Sequence, residues 1–345
     1  MKTIIETASP ESIARAAEII KNGGLVAFPT ETVYGLGANG LDGESAERVF
    51  RAKGRPADNP LILHISNMEM VYELTSEVSV SARKLIDAFW PGALTLILPK
   101  KAHVPCAVSC GLGTVGVRMP SHPVACGLIQ AAGLPIAAPS ANLSGSPSPT
   151  LAEHVEHDLN GKIDMILDGG ACGWGLESTV AEVLPNGLCI LRPGAVTIEQ
   201  LRNVVANVWF DKAAEGPVNS GFIPKAPGMK YRHYSPKAEV VLVIGSESKA
   251  TKYILLDTIN ILKPEMIGIL TTEQSFGMYT DKGFQILSLG DRDHPETTAA
   301  SLFRCLREFD LLGVKKIYAE GIDESGLGFT VMNRLRKAAT KVVEL

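Results

Sequence analysis

The chain has 345 residues, 46% of them hydrophobic and 20% charged, with a formal net charge of −4. Those figures exclude a disordered chain and a global basic field that would draw in nucleic acid, so no strong direct nucleic-acid binding is expected. No apolar run approaches the roughly 18–20 residues that span a bilayer, and Met1–Glu6 lacks the apolar core of a signal peptide, so a cytoplasmic protein with no membrane partner is expected.

Ser9-Pro10-Glu11 starts a helix, with a capping hydroxyl, a proline in the first turn and an acid facing the helix dipole. Ile13, Ala16, Ala17 and Ile20 follow at helical spacing and Gly23-Gly24 ends the run. Leu25–Phe28 reads as a short buried strand. Thr30-Glu31-Thr32-Val33-Tyr34-Gly35-Leu36-Gly37 then places two hydroxyls and two glycines at a strand end, which suits a small-ligand wall; taken alone it is more often an ordinary turn. A helix predicted over 44–52 leads into Lys53-Gly54-Arg55-Pro56 and Asp58-Asn59-Pro60. Two cations on a glycine–proline turn suit an anion, although single turns of this kind usually carry only solvated charge. In the strand predicted over 61–65, His64 reads as a core histidine.

Further helices are predicted at 78–89, 121–132, 150–159 and 197–204, and strands at 93–98, 115–119, 135–138, 163–167, 179–183 and 188–191. Arg118 ends one of these strands. After another, Ala138-Pro139-Ser140-Ala141-Asn142-Leu143-Ser144-Gly145 offers hydroxyl and amide donors ahead of a helix, chemistry that favours phosphate or ribose. Composition alone makes that stretch a Ser/Pro-rich surface loop. Together with Arg192, however, the cationic turns of this one domain read as a converging anion pocket. His154 and His157 read as a solvated helix face, and the six cysteines (106, 110, 126, 172, 189 and 305), none in a CxxC pair, read as reduced thiols rather than a zinc site.

Residues 206–237 show no lasting period and read as a linker or functional loop, which divides the chain into domains at 1–205 and 238–345. In the second domain, strands predicted at 239–244, 266–270, 284–288 and 315–319 alternate with helices at 246–262, 296–312 and 326–339, the pattern of a parallel doubly wound sheet. The expected fold class is therefore α/β in both halves. No nucleophilic triad, HExxH, acidic metal cluster or Walker sequence occurs, so the chemistry predicted is positioning and charge stabilisation around a phosphorylated substrate.

Lys53-x-Arg55 and Ser140-x-Asn142 resemble the KxR and SxN pairs of YrdC-type threonylcarbamoyl-AMP synthases. Pro29–Gly35, Asn59-Pro60-Leu61, Glu177-Ser178-Thr179-Val180, Leu191–Gly194 and Ala226–Pro236 match the same family in its long, two-domain form, strongly to residue 237 and more loosely beyond. The resemblance implies a YrdC-like twisted mixed-sheet N-terminal domain, a linker or lid loop, and a smaller Rossmann-like parallel-sheet C-terminal domain. It implies that threonine's amine takes up bicarbonate, that the resulting carboxylate attacks the α-phosphorus of ATP, and that pyrophosphate leaves. A downstream transferase would pass the threonylcarbamoyl group to tRNA. By the same resemblance Thr32, His64, Arg118, Ala138 and Ser178 surround threonine, while Arg55, Asn59, Thr114, Ser140, Ser148, Arg192 and Tyr234 hold ATP. Lys53, Arg55, Ser140 and Asn142 form the catalytic set, Mg²⁺ arrives with the nucleotide and no resident metal is expected, and the loop around Tyr231–Tyr234 covers the nucleotide as a lid. Two competing readings are an RNA-binding or ribosome-maturation factor on the same fold and the carbamoyltransferase module of hydrogenase maturation. The second of these also has an acylphosphatase-like segment and paired CxxC fingers, which this sequence lacks.

Overall fold

In the computed structural model, residues 2–215, 224–227, 234–259 and 263–345 are described. Their contacts form two compact units. The first holds the described residues up to Ser144 and from Ser148 to Pro227; the second holds Gly145–Pro147 and the described residues from Tyr234 onward.

The first unit is built on one sheet of strands β1 (Ile4–Thr7), β2 (Val26–Phe28), β3 (Gly35–Asn39), β4 (Ile62–His64), β5 (Leu94–Pro99), β6 (Thr114–Arg118), β7 (Ile136–Ala137), β8 (Met165–Asp168), β9 (Thr179–Leu184), β10 (Gly187–Arg192) and β11 (Val208–Phe210). Its order is β1-β8-β2-β3-β7-β4-β6-β5-β9-β10-β11, with parallel and antiparallel pairs mixed. The helices are α1 (Pro10–Lys21), α2 (Gly43–Lys53), α3 (Met68–Leu74), α4 (Val80–Phe89), α5 (Cys106–Ser109), α6 (Pro123–Ala132), α7 (Ala152–Leu159), α8 (Ile198–Arg202) and α9 (Lys212–Glu215). Helix α1 starts as its sequence dictates: Ser9 and Ser12 exchange side-chain and backbone hydrogen bonds in a capping box, Pro10 follows the cap, and Ala16, Ala17 and Ile20 are buried.

The strand alternation decides where polar groups collect. In β6, Val115 and Val117 enter the main core, so Thr114, Gly116 and Arg118 project from the opposite face. In β4, Leu63 enters that core, leaving Ile62 and His64 beside Gly116 and Arg118, with which they pair in register. Ile62 and Ile97 join a separate small apolar cluster with Val180, Cys189, Leu191, Ala213 and Ala226. That face of the sheet carries the candidate site.

The second unit is a five-stranded sheet of β12 (Glu239–Ile244), β13 (Ile267–Thr271), β14 (Gln285–Ser288), β15 (Lys316–Glu320) and β16 (Lys341–Glu344), in the order β14-β13-β15-β12-β16 and parallel throughout. Its helices are α10 (Glu247–Thr258), α11 (Glu273–Phe276), α12 (Pro295–Leu312) and α13 (Leu327–Ala338). The fold is thus a large mixed sheet followed by a smaller parallel one. No helix among the described residues is long and apolar enough to cross a membrane.

Several elements depart from the sequence expectation. The stretch predicted to be structureless from 206 begins with β11, paired parallel to β10, and α9, because Val208, Ala213 and Ala214 bury their side chains against the first unit. Strands β1, β3 and β16 and helices α3 and α5 were also not predicted. The helix expected over 246–262 spans Glu247–Thr258, and residues 260–262 lie outside the described ones.

All six cysteines are free thiols. Burial pushes the Cys172 thiol up to about 12, and those of Cys189 and Cys305 to about 11. A thiol reagent at pH 8 is therefore expected to label exposed Cys106 first and these three buried thiols only after unfolding, as read by mass spectrometry of the modified peptides. Labelling of Cys172 in the native chain at the rate of Cys106 would contradict this placement.

Candidate active site

The inward face of α2 determines the position of Lys53. Ala46, Val49, Phe50 and Lys53 recur at helical spacing and are all buried. A lysine ammonium so placed needs acceptors, and it donates to Ser140 O at 2.5 Å, Asn142 O at 2.6 Å and Asn142 Oδ1 at 3.4 Å. Ser140 Oγ also donates to Asn142 Oδ1 at 2.5 Å. The KxR and SxN pairs, 85 or more residues apart, are thus one cluster held by Lys53. Gly54 ends α2 in the left-handed conformation (φ 61°), a backbone state that glycine adopts without a Cβ penalty, and this turn sends the chain from Lys53 to Arg55. Arg55 Nη2 donates to Asn59 O at 2.9 Å. The Asn59 side chain is fully buried, and its amide nitrogen and oxygen have no hydrogen-bond partner among the described residues. Buried amides are normally satisfied, so this one marks a candidate ligand contact.

Arg118, 4% exposed, is gripped on three sides. Nε donates to Gly92 O at 3.1 Å, Nη1 to Thr32 Oγ1 at 2.9 Å and Nη2 to Glu31 Oε1 at 2.6 Å. Burial pushes the Glu31 carboxyl up, but the Arg118 charge and its hydrogen bond outweigh that and hold it below the usual carboxylate range. A guanidinium has five N–H groups, so one remains on each terminal nitrogen. Pairing β4 with β6 sets His64 beside Arg118, and Ala138 N donates to Ile62 O at 2.9 Å. On the next strand, Thr95 Oγ1 meets Ser178 Oγ at 2.8 Å. Arg192 Nη2 donates to Ser178 O at 2.8 Å. Gly194 passes so close to this turn that an added Cβ would lie 2.3 Å from Thr179 N, which only glycine avoids. Ser148 Oγ donates to Glu177 Oε1 at 2.7 Å.

The residues fall into two groups. Thr32, His64, Arg118 and Ser178 gather around the C-terminal ends of β4 and β6, while Ala138 lies opposite Ile62 at the start of β4. Thr114 starts β6, about 13 Å along that strand from Arg118 at ~3.3 Å per residue, and Asn59 precedes the start of β4. The Lys53–Ser140–Asn142 cluster bridges them, because Ser140 pairs with Gly35 and Ala141 N donates to Tyr34 O, next to the Thr32 turn. Arg192 lies on Ser178 rather than beside Asn59 and Thr114. Tyr234 belongs to the second unit, where its ring stacks on Phe303 (centroids 5.2 Å apart) and under Arg334. Tyr231, Arg232 and His233, the rest of the expected lid, lie outside the described residues.

Family models match both halves of the chain: one described as "Telomere recombination" over residues 18–194 and one described as "Threonylcarbamoyl-AMP synthase, C-terminal domain" over residues 196–340. The threonylcarbamoyl-AMP synthase of Pyrococcus abyssi is 48% identical over 326 residues, 94% of this chain and 93% of the relative. That of Bacillus subtilis is 46% identical over 336 residues, 97% and 94%. The chain belongs to the threonylcarbamoyl-AMP synthase family. A crystal structure of P. abyssi Sua5 complexed with L-threonine matches with a TM-score of 0.90 at 44% identity, covering 100% of this chain and 99% of that one. Escherichia coli YciO matches the first part, with a TM-score of 0.50 at 28% identity over 56% of this chain and 94% of that one.

Membership of the threonylcarbamoyl-AMP synthase family does not by itself reveal the supporting residues Glu31, Thr95 and Glu177. The visible signal for Glu31 is an acid between two threonines at a strand end; its partner lies 87 residues away.

His64 yields a prediction of its own. Burial, and then the Arg118 charge, lower its imidazole to about 3, so it is neutral at physiological pH. Its folded value lies below the unfolded one of about 6.5, so the native state binds fewer protons between those limits. The associated stability is whole above pH 6.5 and is lost as pH falls toward 3. Relative to a His64→Gln chain, the parent is expected to lose about 1.4 kcal/mol more per pH unit between pH 6 and 4, read from urea midpoints. Equal slopes would show that His64 titrates normally.

Proposed function

We propose that the chain converts L-threonine, bicarbonate and ATP into L-threonylcarbamoyladenylate and pyrophosphate, supplying a transferase that modifies adenosine in tRNA. The observation that carries this reading is the placement of two polar groups at opposite ends of one strand pair, joined by the Lys53–Ser140–Asn142 cluster. Threonine's carboxylate would take the two remaining N–H groups of Arg118, with Thr32, His64, Ala138 and Ser178 around the rest. The nucleotide would lie toward Arg55, Asn59, Thr114, Ser140 and Ser148, with Arg192 at Ser178, and the open amide of Asn59 is the strongest sign of it.

In the reaction, the threonine nitrogen bonds to the carbon of bicarbonate and water departs. A carboxylate oxygen of that product then bonds to the α-phosphorus as the bond to pyrophosphate breaks. The chain's own contribution is to fix this geometry and to offset charge, with no covalent intermediate required. Magnesium would enter on the phosphates as part of the substrate; among the described residues, no three His, Cys, Asp or Glu side chains gather to hold it. We propose domain limits of 1–205 and 238–345 joined by 206–237, the start of the joining stretch packing on the first domain as β11 and α9, and a cytoplasmic setting. Pyrophosphate release from ATP tests the reading. It is expected only with threonine and bicarbonate both present, and release indifferent to either would overturn it.

A further inference from the structure

A cavity of about 580 Å³ in the first unit is lined by none of the site residues described above, although two of their chain neighbours stand in its wall. Three cations, Arg48, Arg51 and Lys162, surround an apolar floor of Leu25, Ala52 and Leu143. Arg48 and Arg51 are three residues apart on α2, on the flank next to the buried face, where like charges repel. Arg48 is aimed by the fold: Nη1 donates to Gly23 O at 2.6 Å and Nη2 to Asp164 Oδ2 at 3.4 Å, leaving three of its five N–H groups. Lys162 Nζ donates to Asp158 O at 3.3 Å and keeps two. Arg51 is exposed, with no carboxylate within ion-pair distance among the described residues. Among the described residues Asp164 is the single acid that pairs with any of the three, so the rim carries surplus positive charge above an apolar base. Cations from two separate segments around an apolar floor suit a phosphate attached to an apolar or aromatic body.

We propose that this cavity binds a small organic phosphate of nucleoside monophosphate size. The occupant would also bear on the catalytic cluster. Gly54, in the cavity wall, directly follows Lys53, and Leu143 directly follows Asn142, the two residues joined at 2.6 Å.

The test is calorimetric titration of the full chain with uridine monophosphate, which carries the phosphate without the adenine of the substrate nucleotide. The comparison is an Arg51→Glu/Lys162→Glu chain. Both side chains are exposed, so the double variant is expected to fold, which its melting curve checks, and to keep its threonine-dependent pyrophosphate release without the probe. The expected result is one probe bound per parent chain, at least tenfold weaker in the variant, with inorganic phosphate weaker than the nucleotide in the parent. Absence of binding in the parent, equal binding in the folded variant, or inorganic phosphate binding as tightly as the nucleotide would each overturn the proposal. So would a short oligoribonucleotide that binds more tightly than the mononucleotide and loses that binding in the variant, since the phosphate would then belong to RNA.

Discussion

Arg118→Lys is expected to raise the KM for threonine about 10- to 100-fold while leaving the KM for ATP within about threefold, equivalent to roughly 1.4–2.8 kcal/mol of binding. The arginine fork has three of its five N–H groups fixed by Gly92, Thr32 and Glu31, and the remaining two, one on each terminal nitrogen, are proposed to hold the carboxylate. Lysine keeps the charge but has only three donors. Once Glu31 and Thr32 are served, one remains, and it has no planar geometry. The lysine variant is preferred to alanine because Glu31 is only 13% exposed, and removing its cation would leave a largely buried carboxylate unpaired, at a cost of about 3–5 kcal/mol. Steady-state kinetics with each substrate varied in turn separates the cases. An unchanged threonine KM, or equal rises for both substrates, would remove Arg118 from the carboxylate site.

Lys53→Met is expected to lower kcat/KM for ATP by about 100-fold and to destabilise the fold by about 2–4 kcal/mol, both from one cause. Methionine nearly matches the length of the lysine stem but leaves Ser140 O and Asn142 O as buried acceptors without their charged donor, each worth about 1–3 kcal/mol. The Ser140–Asn142 turn would then relax, taking Ser140 Oγ and the Asn142 amide out of register. This differs from the role implied by resemblance, in which Lys53 offsets triphosphate charge directly. Here the ammonium lies on the turn's carbonyls, so it is expected to act first as a positioning group. Turnover and chemical denaturation measured on the same preparation decide between them. Loss of turnover at unchanged stability would return Lys53 to direct phosphate contact.

What could be read from the sequence follows the range of the forces involved. Helix α1 was legible because its cap, first-turn proline and apolar spacing act within a few residues. Strands β4, β6 and β9 were legible as apolar runs. Strand β3 was not, because Gly35-Leu36-Gly37-Ala38-Asn39 has poor strand propensity and is a strand only through pairing with β2 on one side and β7 on the other. The same holds for β11, whose three residues gain their ladder from β10. In the site, the residue types were legible and their partners were not. Nothing near Lys53 in sequence names Ser140 and Asn142, and nothing near Arg118 names Glu31. Burial converts these long-range pairs from optional surface charges into obligatory contacts, and burial is a property of the assembled sheet.

The most direct measurement supplies the chain with ¹³C-bicarbonate, threonine and ATP and examines the nucleotide products by mass spectrometry. The expected product is a threonylcarbamoyl-adenylate that carries the label in its carbamoyl carbon, formed together with pyrophosphate and absent when threonine is left out. Pyrophosphate and AMP with no labelled adduct, or an adduct whose mass is unchanged by the label, would contradict it.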